Sequence, residues 1–232
     1  MTAVILANGE FPRREYPLWL LKNADVVVCC DGAYRHLSRL GITPVAVVGD
    51  MDSLSRSVRT PSRSSADPAQ DSAPSAVASL DSAPLFVKVE EQEYNDLNKA
   101  FCWLRENYPQ ASDIHIVGAT GKSEAHALGN LSYLMFWEQE YALAARGVRV
   151  EIVSDYNTAF AIADSCELHV GEERKVSLFS TDSSLRIKSA GLAWPTDNVV
   201  FSLWFRGTLN RATSDVISLQ FNHPAPVLII LD

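Results

Sequence analysis

Up to about residue 150, short β-branched runs alternate with stretches of helical periodicity; beyond that point the helical patterns stop and only short strands remain. Ala3–Ala7, Asp25–Cys30, Val45–Val48, Leu85–Val89 and Ile114–Val117 read as strands, with helices over Gly32–Leu40, Asn95–Glu106 and roughly Ala125–Ala145. Apolar strands separated by helices predict a mainly parallel sheet covered on both faces. The remainder offers Val148–Val153, Glu167–Val170, Lys175–Ser180, Leu185–Ser189, Val199–Phe205, Val216–Phe221 and Val227–Leu231, separated by turn formers. That spacing predicts an antiparallel sandwich or a barrel-like domain. The expected architecture is an α/β N-terminal domain over residues 1–154 and an all-β C-terminal sandwich domain over 155–232, divided at Asp155-Tyr156-Asn157.

One segment fits neither pattern. Ser55 to Pro84 holds nine Ser and four Pro, no Gly and no aromatic residue. Its apolar side chains never establish a period, so it reads as a disordered Ser/Pro-rich insertion, tolerated because the cost of closing a loop grows slowly with length.

Charge narrows the partners. Lys plus Arg total 20 against 28 Asp plus Glu, a net charge of −8 with no basic block, which argues against nucleic acid or an anionic membrane surface as partner. No apolar run approaches the roughly 20 residues that span a bilayer, and the start, Met1-Thr2-Ala3-Val4, lacks a basic leader. A cytoplasmic protein is expected. The four cysteines, Cys29, Cys30, Cys102 and Cys166, have no metal-ligand spacing and read as buried reduced thiols.

The chemistry gathers at strand ends. Asn8-Gly9, Asp31-Gly32-Ala33, Gly49-Asp50-Met51-Asp52-Ser53 and Gly118-Ala119-Thr120-Gly121 each follow a predicted strand, where ligands collect in open parallel sheets. Asp50 and Asp52 are hard oxygen ligands suited to Mg²⁺, which completes its shell with water and substrate phosphates. Taken alone they read as a helix cap and an exposed turn carboxylate. Asp96 opens the next helix, where the dipole favours phosphate nearby, and Lys99 faces the same way one turn on. The Gly118 to Gly121 turn leads into a helix whose free N–H groups can hold phosphate, although its spacing is neither that of a P-loop nor the three-glycine dinucleotide fingerprint. His126 and Asn130 share a face of that helix; a lone helical His is more often structural than a ligand.

The ordered set Asn8-Gly9, Asp31-Gly32-Ala33, Gly49-Asp50-Met51-Asp52-Ser53, Gln92-Glu93-Tyr94-Asn95-Asp96-Leu97-Asn98-Lys99-Ala100, Gly118-Ala119-Thr120-Gly121 and His126-Ala127-Leu128-Gly129-Asn130 resembles the thiamine pyrophosphokinase (thiamine diphosphokinase) family. The likeness continues more weakly through Ser177 to Ser180, Gly191-Leu192-Ala193-Trp194 and Gly207 to Asn210. The resemblance implies a homodimer with active sites shared between subunits, and a reaction in which ATP and thiamine, with Mg²⁺, give thiamine diphosphate and AMP. It implies that Asp50, Asp52 and Asp96 hold Mg²⁺ or orient the attacking hydroxyl, and that Asp31 serves the same site. It further implies that Asn8, Gly32, Lys99, Gly118, Thr120, Gly121, Lys122, His126 and Asn130 contact nucleotide, with Asp52, Asn130, Trp194 and Asn210 facing thiamine.

The chain departs from that family's pattern where a Gly, an Arg and an Asp are common; here stand Lys122, Ser123 and Ala125. Losing an Arg removes a two-pronged phosphate partner. Glu93 stands where Asp is frequent, and Leu209 where a small polar residue is common. Two other classes therefore stay in view: a noncatalytic thiamine- or nucleotide-binding homologue, and a different Mg²⁺-dependent phosphotransferase or phosphohydrolase.

Overall fold

The structure, a computed structural model, describes residues 1–52 and 83–232; the Ser/Pro-rich stretch, apart from its last two residues, lies outside the described residues. Six strands pair in parallel: β1 (Thr2–Leu6), β2 (Val26–Cys30), β3 (Ala46–Gly49), β4 (Leu85–Lys88), β5 (Asp113–Val117) and β6 (Arg149–Val153). Their spatial order is β6-β5-β1-β2-β3-β4. The chain steps outward from β1 to β4, then returns to the other side of β1, so a topological switch point lies between β1 and β5, where open sheets hold ligands.

Helices cover both faces of this sheet. Helices α1 (Glu15–Asn23) and α2 (Tyr34–Arg39) bury Leu20, Leu21 and Leu37 against Val4, Leu6, Val27 and Val47 on one face. On the other, α3 (Asp96–Asn107) and α4 (Glu124–Tyr141) pack Phe101, Leu104 and Trp137 against Ile5, Val28 and Ile116. Phe101 stacks on Trp137 with centroids 3.9 Å apart, and the Trp137 indole N–H donates to Asn98 Oδ1 at 2.7 Å, so the buried ring leaves no polar group unpaired. Cys29 and Cys30, in the middle of the sheet, are buried; burial pushes the Cys29 thiol up to about 12 and Cys30 well above its usual value. Cys102 and Cys166 are instead only half-buried.

The C-terminal half continues the same sheet. Strand β7 (Thr158–Ile162) runs antiparallel beside β6, and β13 (Val227–Leu231), β9 (Lys175–Ser180) and β11 (Asn210–Arg211) follow, making ten strands. A second sheet, β10 (Ile187–Ala190), β12 (Val216–Phe221) and β8 (Cys166–His169), shares a core with β9 and β13 built from Val176, Leu178, Ile187, Ile217, Leu219 and Ile229. That is the antiparallel sandwich the spacing predicts, with hydrogen bonding unbroken across the hairpin at 154–157.

Several elements differ from the sequence reading, the two-residue strand β11 among them. The expected strand Val199–Phe205 is a turn leading into a 3₁₀ segment, Trp204–Gly207: Phe201 is driven into the sandwich core, while Leu203 and Phe205 stay exposed. Strand β7 went unseen although Thr158, Phe160 and Ile162 favour strands; five residues alternating with Ala make a short signal, and the strand is held between β6 and β13.

Helix α1 also went unseen, and its cause lies far along the chain. Its N-cap, Arg14, has no capping side chain, and Pro17 sits in the first turn, a position a helix tolerates. The cap comes instead from Asp155, whose carboxylate accepts the N–H groups of Arg13 at 2.9 Å and Arg14 at 2.9 Å. Asp155→Ala is therefore expected to destabilise the protein by about 1–2 kcal/mol, the cost of losing a cap, read as a lowered melting temperature that Asp155→Asn largely restores. An unchanged melting temperature in Asp155→Ala would show that water replaces the cap.

Candidate active site

Asp31, Asp50 and Asp96 converge from three elements. Asp31 follows β2, Asp50 follows β3, and Asp96 opens α3; one carboxylate oxygen from each lies within 4.8 Å of the others. Asp31 is 3% exposed. Gly49 makes room for it, since a Cβ there would sit 2.9 Å from the Asp31 carboxyl carbon. Met51 adopts a left-handed φ of 66°, which turns the chain so that the Asp52 N–H donates to Asp50 Oδ1 at 3.0 Å. Left-handed backbone on a side chain like Met costs on the order of 1 kcal/mol and persists where the surroundings impose it. Asp52 itself is exposed and stands beside the three rather than among them.

Three carboxylates so close repel one another. The Asp96 carboxyl is held above its usual range by burial first and by the charge of Asp31 next, with Asp50 adding and Lys99 opposing. Lys99 is buried beneath it, its ammonium 3.5 Å from Asp96 Oδ1, so this lysine faces inward rather than into solvent.

A cleft of about 430 Å³ adjoins the carboxylates, walled by Asn8, Asn95, Asp96, Thr120, Lys122, His126 and Asn130 among others. Its floor is the switch point. Beyond the ends of β1 and β5 the two loops remain zipped together: Gly9 N–H donates to Gly118 O at 2.6 Å and Glu10 N–H to Thr120 O at 2.8 Å. Gly118 and Gly121 have left-handed φ values of 70° and 85°, which side chains rarely adopt. Lys122 arches back so that its ammonium donates to the Asn8 carbonyl at 3.3 Å and to Asn8 Oδ1 at 3.2 Å. The Asn8 side chain lies over Gly32, where any Cβ would collide with it.

Asn95 and Asn130 lock the two helix starts together. Asn95 caps α3 by accepting the Asn98 N–H at 3.1 Å, and its amide donates to Asn130 Oδ1 at 2.9 Å; Asn130 in turn donates to Ala119 O at 2.7 Å. Asn130 thus spends its side chain on the scaffold of the glycine turn. Ser123 caps α4, accepting the His126 N–H at 3.4 Å, which supplies a structural reason for a serine at that position. Asn95 and Ser123 were legible only as motif members; their capping roles appear once the helix ends are placed.

Asn8, Asp31, Gly32, Asp50, Asp96, Lys99, Thr120, Lys122, His126 and Asn130 are thus brought together, with Gly118 and Gly121 shaping the turn behind them. Trp194 and Asn210 are not. They pair with each other, Asn210 Nδ2 donating to Trp194 O at 2.6 Å; Asn210 lies on β11, at the far edge of the ten-stranded sheet, and Trp194 in a bend beside it. Seven strand spacings separate β11 from β2, about 33 Å at roughly 4.8 Å per strand.

The pattern of the thiamin pyrophosphokinase catalytic domain matches residues 18–144, and that of the thiamin pyrophosphokinase substrate-binding domain matches residues 158–227. Among solved structures, thiamine pyrophosphokinase from Bacillus subtilis superposes with a TM-score of 0.70 at 17% identity, covering 99% of this chain and 98% of that one. The enzyme from Candida albicans gives 0.68 at 13%, over 99% and 89% of the two chains. The yeast enzyme gives 0.67 at 14%, over 100% and 86%. At such identities the superpositions establish the fold. No match is found among curated proteins. No helix among the described residues is long and apolar enough to cross a membrane.

Proposed function

We propose that this chain, which belongs to the thiamin pyrophosphokinase family, transfers the diphosphoryl group of ATP to the hydroxyl of thiamine, giving thiamine diphosphate and AMP. The observation that carries the reading is the convergence of Asp31, Asp50 and Asp96 beside a cleft floored by a glycine turn and a helix start. Three hard carboxylate oxygens within 4.8 Å of one another suit Mg²⁺. Asp31, Asp50 and Asp96 would hold it, with Asp52 at their edge. When bound, Mg²⁺ offsets phosphate charge and polarises the phosphoryl oxygens.

The remaining work is positioning. The backbone of Gly118 to Gly121 and the N-terminus of α4 would take phosphate oxygens, and Lys122 would add a positive charge from the same turn. Lys99 sets the local charge beneath Asp96. The hydroxyl oxygen of thiamine forms a bond to the β-phosphorus while the bond from that phosphorus to the bridging oxygen of the α-phosphate breaks; AMP departs with that oxygen, and the hydroxyl proton is released to solvent. Such a transfer asks for alignment and charge neutralisation rather than covalent chemistry by the protein. Ser123 and Ala125 supply neither a guanidinium nor a carboxylate, so Lys122 is the nearby cation of the turn.

Thiamine requires a further wall. Trp194 is 61% exposed and sits on the far edge of its own chain, so we assign Trp194 and Asn210 to the cleft of a second copy in a homodimer. Leu203, Phe205 and Leu209 are exposed in the same part of the chain and would be covered by such pairing. We place the enzyme in the cytosol, in keeping with the unpaired buried thiols of Cys29 and Cys30.

The test is to incubate the protein with ATP, Mg²⁺ and thiamine and to follow AMP and thiamine diphosphate together, with a control lacking thiamine. Equal, thiamine-dependent formation of both products is expected. Binding without products would make the chain a noncatalytic homologue, and nucleotide hydrolysis independent of thiamine would make it a phosphohydrolase.

A further inference from the structure

Strand β4 ends in a lysine that the motifs do not include. Lys88 lies in register opposite Gly49, the residue immediately before Asp50. Residues paired across a sheet project to the same face, and a Cβ on Gly49 would point at the Asp31 carboxyl. Phe86, two residues earlier on β4 and so on the same face, packs edge-on against Tyr34 of α2 with centroids 5.7 Å apart. Both observations put the Lys88 side chain on the Asp31 side of the sheet, with no side chain at Gly49 between them.

The lysine is occupied but not buried. Its ammonium pairs with Glu90 Oε1 at 2.6 Å, and the two side chains are 59% and 79% exposed. The Glu90 contact is what chiefly raises the Lys88 ammonium, and the charges of Asp52 and Asp50 add to it, which marks their proximity. An exposed pair of this kind contributes little to stability, so its position calls for another account.

Charge balance supplies one. Three carboxyl groups already crowd this rim, and a nucleoside triphosphate with one divalent cation brings about two negative charges. Among the described cations, Lys99 is committed to Asp96 from below and Lys122 to Asn8 on the turn. Lys88 is a further cation, across the strand pair from Gly49 and held by an exposed carboxylate.

We infer that Lys88 is a nucleotide-positioning residue, which exchanges its Glu90 carboxylate for a phosphate oxygen of the bound triphosphate. The inference rests on the reading of this site as a Mg²⁺·ATP site. Exchange of one exposed anionic partner for another costs little, and Glu90 keeps the ammonium at the rim in the meantime.

The test measures binding of Mg²⁺ with the α,β-methylene analogue of ATP to the full chain by calorimetry, for wild type, Lys88→Met, Lys88→Arg and Glu90→Gln. Lys88→Met is expected to weaken binding about tenfold, as loss of one charge-assisted contact does, and to make it less salt-dependent. Lys88→Arg should stay within about threefold of wild type, and Glu90→Gln should tighten binding about twofold, since a competing carboxylate is removed. Melting temperatures should not change, and adenosine should bind wild type and Lys88→Met alike. Binding of the analogue to Lys88→Met within twofold of wild type would overturn the inference while leaving the site reading intact. Weaker binding in Glu90→Gln would overturn the exchange. Failure of wild type to bind the analogue would overturn both readings.

Discussion

Asp50→Asn is expected to lower turnover by on the order of a thousandfold while the protein folds normally. The magnitude follows from the position: Asp50 is one of three carboxylates whose oxygens lie within 4.8 Å, and losing a ligand to a phosphate-bound cation removes several kcal/mol of charge stabilisation. The fold should survive because Asn keeps the oxygen that accepts the Asp52 N–H. Its thermal stability without ligand should be equal to or above that of wild type, since one of three mutually repelling charges is gone. A pH series separates this from a general structural effect. Asp96 has its folded pKa raised, by burial first and then by Asp31, with Asp50 contributing. A carboxyl raised on folding stabilises the fold while protonated, and that contribution is lost as pH rises through the folded value. Ligand-free wild type should therefore lose stability as pH rises from the ordinary carboxylate range towards neutrality, and Asp50→Asn should lose less. Addition of Mg²⁺ and ATP should raise the melting temperature of wild type and leave that of the variant nearly unmoved. A loss of turnover under tenfold would remove Asp50 from the reacting centre.

Gly9→Ala is expected to damage the site severely with a single methyl group. A Cβ at Gly9 would lie 2.4 Å from the carbonyl oxygen of Gly118 and 2.6 Å from that of Thr120. Neither neighbour is a side chain that can swing aside. Both are backbone atoms of the glycine turn, and Gly9 N–H is itself bonded to the Gly118 carbonyl. The two loops must separate, and forcing them apart should cost about 1–3 kcal/mol, the usual range for overpacking. The activity loss should be larger, about a hundredfold, because displacing aligned groups by roughly 1 Å has that effect. Gly129→Ala is the matched control, since a Cβ at Gly129 meets nothing within 4 Å. Gly129→Ala should keep full activity and gain slightly in stability, as Ala favours a helix interior. Equal activities in the two variants would show that the paired loops do not set the site.

How far the chain could be read depends on where each signal resides. The parallel strands were legible because Val26–Cys30 and Ala46–Gly49 are apolar along their whole length, as only strands buried on both faces can be. Asp50, Asp96 and the Gly118 to Gly121 turn were legible because acids and glycines at strand ends and helix starts are local features. Helix α1 was not, since its cap is Asp155, far along the chain. Nor was β7, a short alternation with Ala that is held between its neighbours β6 and β13. The apolar run at Val199–Phe205 looked like a strand because composition cannot distinguish a side chain that pairs in a sheet from one, like Phe201, that plugs a core from a loop.

Sequence alone determined the two-part architecture and the loops from which a site can be built, because hydrophobic period and turn chemistry act over a few residues. Tertiary structure decided which acids meet. Asp52 is two residues from Asp50, yet the left-handed turn at Met51 leaves it exposed, while Asp31 comes in from the next strand through the space Gly49 leaves open. It also decided that Lys99 is buried under Asp96, that Lys88 joins the rim across a strand pair, and that Trp194 lies seven strands from the carboxylates of its own chain. Each of these depends on register and strand order, which bring together residues far apart in the chain and which no local pattern encodes.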